Sequence, residues 1–219
     1  MRTIDLGLIP YRDAWRVQEE LHAQVLYGAE EALLLLEHRP VITFGRRVAD
    51  SQRNLLAPAE TLRRLGVEVV ESDRGGDITY HGPGQLVAYP IVRLIDHRLS
   101  VGAYVRQLED VVIATLAEYG IEGFKDDSAI GVWVRRADGV AAKICALGVR
   151  IKRGVTLHGI ALNLTTDLSH FGLINPCGLG RPVTSMGELL GARAPSMGEL
   201  KGVFARHALT AFTTAGERQ

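Results

Sequence analysis

The chain has 219 residues with 25 basic and 25 acidic side chains, a formal net charge of zero, and a hydrophobic share of 47%. That balance excludes a protein-wide basic field for nucleic acid or an anionic membrane, and it excludes an acidic solvating tail. The apolar share is enough for one sizeable core. The two cysteines, Cys145 and Cys177, lack the paired spacing of a zinc site or a disulfide framework. No apolar run approaches the roughly 20 residues of a bilayer-spanning helix. The opening MRTIDLGLIP carries Asp5 and Pro10 where a signal peptide would be apolar. The expectation is a cytoplasmic protein with reduced thiols.

In chain order, Trp15, Leu21, Val25 and Leu26 share one face of a helix from Tyr11 to Leu26, with Gly28 as its stop. ALLLLEH and VITFG read as two strands joined by a short turn at Arg39-Pro40. A brief helix near Pro58 to Leu65 leads through Gly66 into the strand VEVVES. RGGDITYHGPGQ, residues 74 to 85, connects to a further strand, QLVAYPIVRL. Ser100 caps a helix to Tyr119 whose apolar residues recur at three-and-four spacing and must cover a sheet. GVWVRR, KICALGVRI and VTLHGIALNL, separated by Asp138-Gly139 and Arg153-Gly154, read as an antiparallel meander. SMGEL at 185 to 189 and again at 196 to 200 is a Ser-x-x-Glu capping pattern, so C-terminal helices begin at about 185. The sum is one α+β domain over residues 1 to 219.

The glycine-rich stretch is not a P-loop, because no lysine follows its glycines, and it is not a dinucleotide fingerprint, because a strand rather than a helix comes next. Glycine admits positive φ and lets a ligand approach bare amides. Around it Arg74 is a candidate anchor for an anion or a carbonyl, Thr79 and Tyr80 add hydroxyls, and His81 can donate or accept. The competing reading is a glycine-rich hairpin with a satisfied histidine.

Cys177, between Pro176 and Gly178, belongs on a loop where neighbouring amides can face a bound carbonyl, whereas Cys145 inside KICALGVRI fits a packing role. A reactive thiol needs a cation or base nearby, and the candidates are His81, His158 and Lys143. Spacing alone does not choose among them. Lys143 also fits a strand-end lysine reaching water. A zinc site from His81, His158 and the cysteines lacks any ligand pair of recognisable spacing.

Taken together, RGGDITYHGPGQL, AAKICALGVRIKRGVTLHGIALNL and INPCG, in that order, resemble the lipoyl(octanoyl) transferase family. The resemblance implies a mixed, largely antiparallel sheet flanked by helices, like that of biotin and lipoate protein ligases. It implies an enzyme that takes octanoyl from octanoyl-acyl carrier protein onto Cys177 and passes it to a lysine on lipoyl domains of 2-oxoacid dehydrogenases or on the glycine-cleavage H protein. Lys143 would lower the thiol pKa. Substrate contacts would come from Arg74, Gly75, Gly76, Asp77, Ile78, Thr79, Tyr80 and His81, from Ala146, Leu147 and Gly148, and from Gly159, Ile160 and Ala161. No cofactor, metal, nucleic acid or membrane enters this reading, and the enzyme is taken as a monomer. An ATP-dependent lipoate or biotin ligase and a silent acyl-binding module are the alternatives. Arg46, Arg47, Arg150, Lys152 and Arg153 are candidate docking cations, or a solvated face.

Overall fold

A computed structural model of the chain describes residues 1–46, 52–175 and 181–217, the side chains of 214–217 excepted. Cys177 and Arg47 therefore lie outside the described residues. Among the described residues ten strands make two sheets. The strands are β1 (Arg2–Ile9), β2 (Ala32–His38), β3 (Val41–Phe44), β4 (Glu68–Glu71), β5 (Thr79–His81), β6 (Gln85–Ile91), β7 (Gly123–Lys125), β8 (Val132–Arg135), β9 (Ala141–Lys152) and β10 (Val155–Asn163). The helices are α1 (Tyr11–Leu26), α2 (Ala59–Arg64), α3 (Val101–Ala117), α4 (Met186–Leu190) and α5 (Met197–Glu217).

The larger sheet runs β1-β2-β6-β10-β9-β8-β7. Only the β1–β2 pair is parallel in it. The sheet is mixed and largely antiparallel, as expected. Its β2 is apolar on successive residues because both faces are covered. Leu33 and Leu35 pack with α3 and α5 residues such as Leu108 and Phe204, while Leu34 and Leu36 pack with Ala14, Leu21 and Val25 of α1. Helices thus flank the sheet on both sides.

The β9–β10 hairpin turns at Arg153 and Gly154, whose φ values of 53° and 83° are those a two-residue hairpin turn of right-handed twist requires. Ser100 Oγ accepts from Ala103 N at the start of α3, and the serine of each SMGEL copy accepts from the glutamate amide three residues on. Only the second copy closes reciprocally, Ser196 N donating to Glu199 Oε2.

The smaller sheet, β4-β3-β5, places the glycine-rich segment. ALLLLEH and VITF are strands, yet they do not pair with each other: at Arg39-Pro40 the chain passes from one sheet to the other. β3 pairs with β4 and β5. Residues 74–79 are thereby laid across the middle of β9, which forms a roof over the larger sheet.

Candidate active site

Between that roof and the sheet lies a cavity of about 630 Å³. Residues 74–79 form one wall, β9 from Ala146 to Val149 and β10 from His158 to Ala161 form the floor, and Val101, Val105 and Ile130 add apolar side. Every residue named above as a substrate contact lines it except Tyr80. On β5 side chains alternate, so Thr79 and His81 face the cavity while Tyr80 turns into the core of the smaller sheet, stacked on His170 at 4.9 Å. Lys143 lines the same cavity.

The glycines serve close packing rather than mobility. Gly75 N donates to Val149 O at 3.0 Å, and a Cβ on Gly148 would stand 2.8 Å from Gly75 O. The roof can sit on the strand only because neither residue has a side chain there. Arg74 is buried and holds the roof by donating from Nε and Nη2 to Thr43 and from Nη1 to Gly75 O.

Lys143 is half-buried rather than reaching freely into water. Its Nζ donates to Ile130 O at 2.9 Å and lies 4.8 Å from the Trp133 ring centre. The backbone of Lys143 pairs with the stretch after residue 180, its N donating to Pro182 O and its O accepting from Thr184 N. On that stretch the Arg181 guanidinium lies over Trp133 at 4.9 Å and donates to Asp126 and Ser128. Bonds from the Ser128 hydroxyl and amide, with Arg181 beside them, hold the Asp126 carboxyl down at about 2. On the other side, Asn175 N donates to Asn54 O at 2.7 Å, and Asn54 Nδ2 donates to Asp77 Oδ2. Both flanks of residues 176–180 are therefore fastened to groups at the cavity.

The remaining candidates separate cleanly. Cys145 is fully buried and burial pushes its thiol up, which leaves it inert. His158 holds φ at +59° inside a strand, a conformation that costs of order 1–3 kcal/mol. Its Nε2 donates to Asp73, its N donates to Gln18 Oε1, and burial with Arg74 and Arg150 nearby takes its pKa down to about 3. His81 is likewise held well below the usual range, by burial first and then by His38 and Arg74. His38 itself, donating from Nδ1 to Ile9 O and accepting at Nε2 from Tyr89 OH, falls to about 4 through burial. The imidazoles at the cavity are therefore neutral near pH 7. Of the docking cations, Arg150 is paired with Asp73, and Arg46, Lys152 and Arg153 are exposed. Among the described residues no group of three or more His, Cys, Asp or Glu could hold a metal ion, and no helix is long and apolar enough to cross a membrane.

Sequence reasoning missed Gln85, Asn163, Trp133 and the 128–130 loop, all brought in by pairings between distant segments. HGPGQ did contain Gln85, but nothing local marked it.

A largely apolar slot with neutral imidazoles along it and Lys143 at one side has the shape and character for an acyl chain. The fold is that of protein ligases that attach lipoate or biotin. A bi-partite lipoate protein ligase from Thermoplasma acidophilum superimposes with a TM-score of 0.70 at 14% identity, covering 96% of this chain and 84% of that one. Biotin protein ligase from Aquifex aeolicus, in complex with biotin and ATP, does so at 0.56 and 13%, covering 100% and 73%. The chain belongs to the lipoyl protein ligase A/B catalytic domain family, whose model matches residues 10–209. Within it, the octanoyltransferase of Solibacter usitatus is 51% identical over 203 residues, 92% of this chain and 88% of that one.

Proposed function

We propose that this chain is an octanoyltransferase of lipoate biosynthesis that moves octanoyl from octanoyl-acyl carrier protein, through a thioester on Cys177, to the ε-amine of a lysine on a lipoyl domain. The observation that carries the reading is the apolar cavity with the Lys143 amine on its wall and the chain to either side of residues 176–180 tied down beside it. The half-identical relative bearing the octanoyltransferase name supports it.

In the first half-reaction the Cys177 thiolate, favoured by the Lys143 ammonium, attacks the carrier thioester; the new C–S bond forms, the old one breaks, and phosphopantetheine leaves as its thiolate, which takes a proton from water. In the second, a neutral lysine amine attacks the acyl-enzyme, the C–N bond forms and the C–S bond breaks. The acyl chain supplies binding energy of about 0.8 kcal/mol per buried methylene, so cavity depth selects length, while neighbouring lengths differ by only about 1–3 kcal/mol. The work is assigned to the cytoplasm and to a monomer.

A ligase of the same fold must first activate a free acid with ATP, as the fold shared with an ATP-binding biotin ligase brings to mind. A carrier thioester is already reactive. The test is transfer from octanoyl-acyl carrier protein to a lipoyl domain without nucleotide: it should proceed, and Cys177→Ser should abolish it. ATP-dependent pyrophosphate release with activity surviving Cys177→Ser would establish the ligase instead.

A further inference from the structure

Behind the cavity a row of buried amide side chains joins His81 to the strand of Lys143. Asn163 Nδ2 donates to Thr184 O at 3.0 Å, Gln85 Nε2 donates to Asn163 Oδ1 at 2.9 Å and to Tyr80 O at 3.3 Å, and Gln85 Oε1 faces His81 Nδ1 at 2.8 Å. Thr184 N in turn donates to Lys143 O. Gln85, Asn163 and Thr184 are each at most 4% exposed, so no other orientation finds solvent partners.

The row has one self-consistent polarity. The carbonyls of Thr184 and Tyr80 can only accept, so both amides must point their NH₂ groups toward them. Asn163 is left with its oxygen for Gln85, and Gln85 with its oxygen for His81. An amide oxygen cannot donate, so Nδ1 of His81 carries the hydrogen. In a neutral imidazole, Nε2 is then a bare acceptor. The surroundings keep the ring neutral: His38 on β2, Tyr11 on α1, Arg74 on the roof and His158 on β10 all face it, and none is an anion. Among the described residues no hydrogen bond reaches Nε2, and His81 lines the cavity.

We propose that Gln85 and Asn163 are positioning residues that hold His81 in this tautomer so that its Nε2 accepts the N–H of the lysine amine attacking the acyl thioester. The proposal rests on the octanoyltransferase reading above. As C–N forms and C–S breaks, one amine proton passes through Nε2 to the departing sulfur, and the imidazole ends neutral as it began. A row that merely filled space between the sheets would, on substitution, affect acylation and deacylation alike.

The experiment separates the half-reactions. Enzyme is loaded from octanoyl-acyl carrier protein, and single-turnover deacylation by a lipoyl domain is followed across pH. Gln85→Glu puts a carboxylate opposite Nδ1–H, raises the proton affinity of His81, and should move the acid limb of deacylation up by about 1 pH unit or more. Asn163→Ala releases Gln85 to turn and should slow deacylation about tenfold relative to acylation. An unmoved acid limb in Gln85→Glu, or equal losses in both half-reactions, would overturn the proposal. Nitrogen NMR of the wild-type imidazole is independent of variant folding: an Nδ1–H tautomer is expected, and an Nε2–H tautomer would overturn it. Wild-type enzyme that never becomes acylated would instead reject the underlying function while the tautomer result still stood.

Discussion

Among the described residues the Ile130 carbonyl and the Trp133 ring hold the Lys143 amine, and both favour a charged ammonium held still. Such a cation should depress a thiol beside it. With Lys143→Met, the midpoint of the pH dependence of Cys177 alkylation should therefore rise by about 1–2 units toward an ordinary thiol, measured by iodoacetamide rate; an unchanged midpoint would remove Lys143 from thiol activation. Cys145, sealed in the core, should stay unmodified in the folded protein. At this scale the sequence distinguished Cys145 as packing, since an apolar strand on both sides of it left no other environment. It could not distinguish Tyr80 from His81 until the strand phase at Thr79 was known. Nor could it mark His158 as left-handed, because that φ is imposed by α1 through Gln18 and by Asp73, both remote in sequence.

Elements whose signal is local were read closely: α1, the α3 cap at Ser100 and the Arg153-Gly154 hairpin all stand where periodicity and turn chemistry put them. Of the strands not read, β5 lies inside the glycine-rich stretch taken as a loop, while β1 and β7 are the two edges of the larger sheet. An edge strand buries little: β7 has three residues, too few to show a period, and in β1 the alternation of Ile4, Leu6 and Leu8 is broken by a bulge between Asp5 and Gly7 and stays mostly exposed. The pairing of β3 with β4 and β5 is non-local and left no mark either. The roof on β9 makes a direct prediction: Gly148→Ala would push a methyl to 2.8 Å from Gly75 O, against backbone that cannot yield cheaply. It should cost about 1–3 kcal/mol in urea unfolding and weaken octanoyl transfer by displacing the roof. Wild-type stability in that variant would mean the two plies are not in contact.

Across the molecule, burial lowers the pKa of three histidines, His38, His81 and His158, with His38 at about 4 and His158, for all its bond to Asp73, at about 3 against an ordinary value of 6.5. Below 6.5 the unfolded chain binds protons that the native one refuses, so their contribution is complete above 6.5 and is lost as pH falls toward those values. His97 runs the other way: its hydrogen bond to Glu31 raises its pKa, so its contribution is present below 6.5 and lost as pH rises through the raised value. Three against one, stability should drop by on the order of a few kcal/mol between pH 7 and about pH 5. A urea midpoint unchanged or higher at the lower pH would contradict this. The same burial that makes the protein acid-sensitive keeps the imidazoles beside the cavity uncharged, with Lys143 as the ammonium set against its apolar side. The most direct test of that arrangement is the intact mass of the wild-type enzyme after incubation with octanoyl-acyl carrier protein alone. One octanoyl group, released by hydroxylamine and mapped to Cys177, is the predicted result; an active enzyme that carries no adduct, or carries it elsewhere, would contradict it.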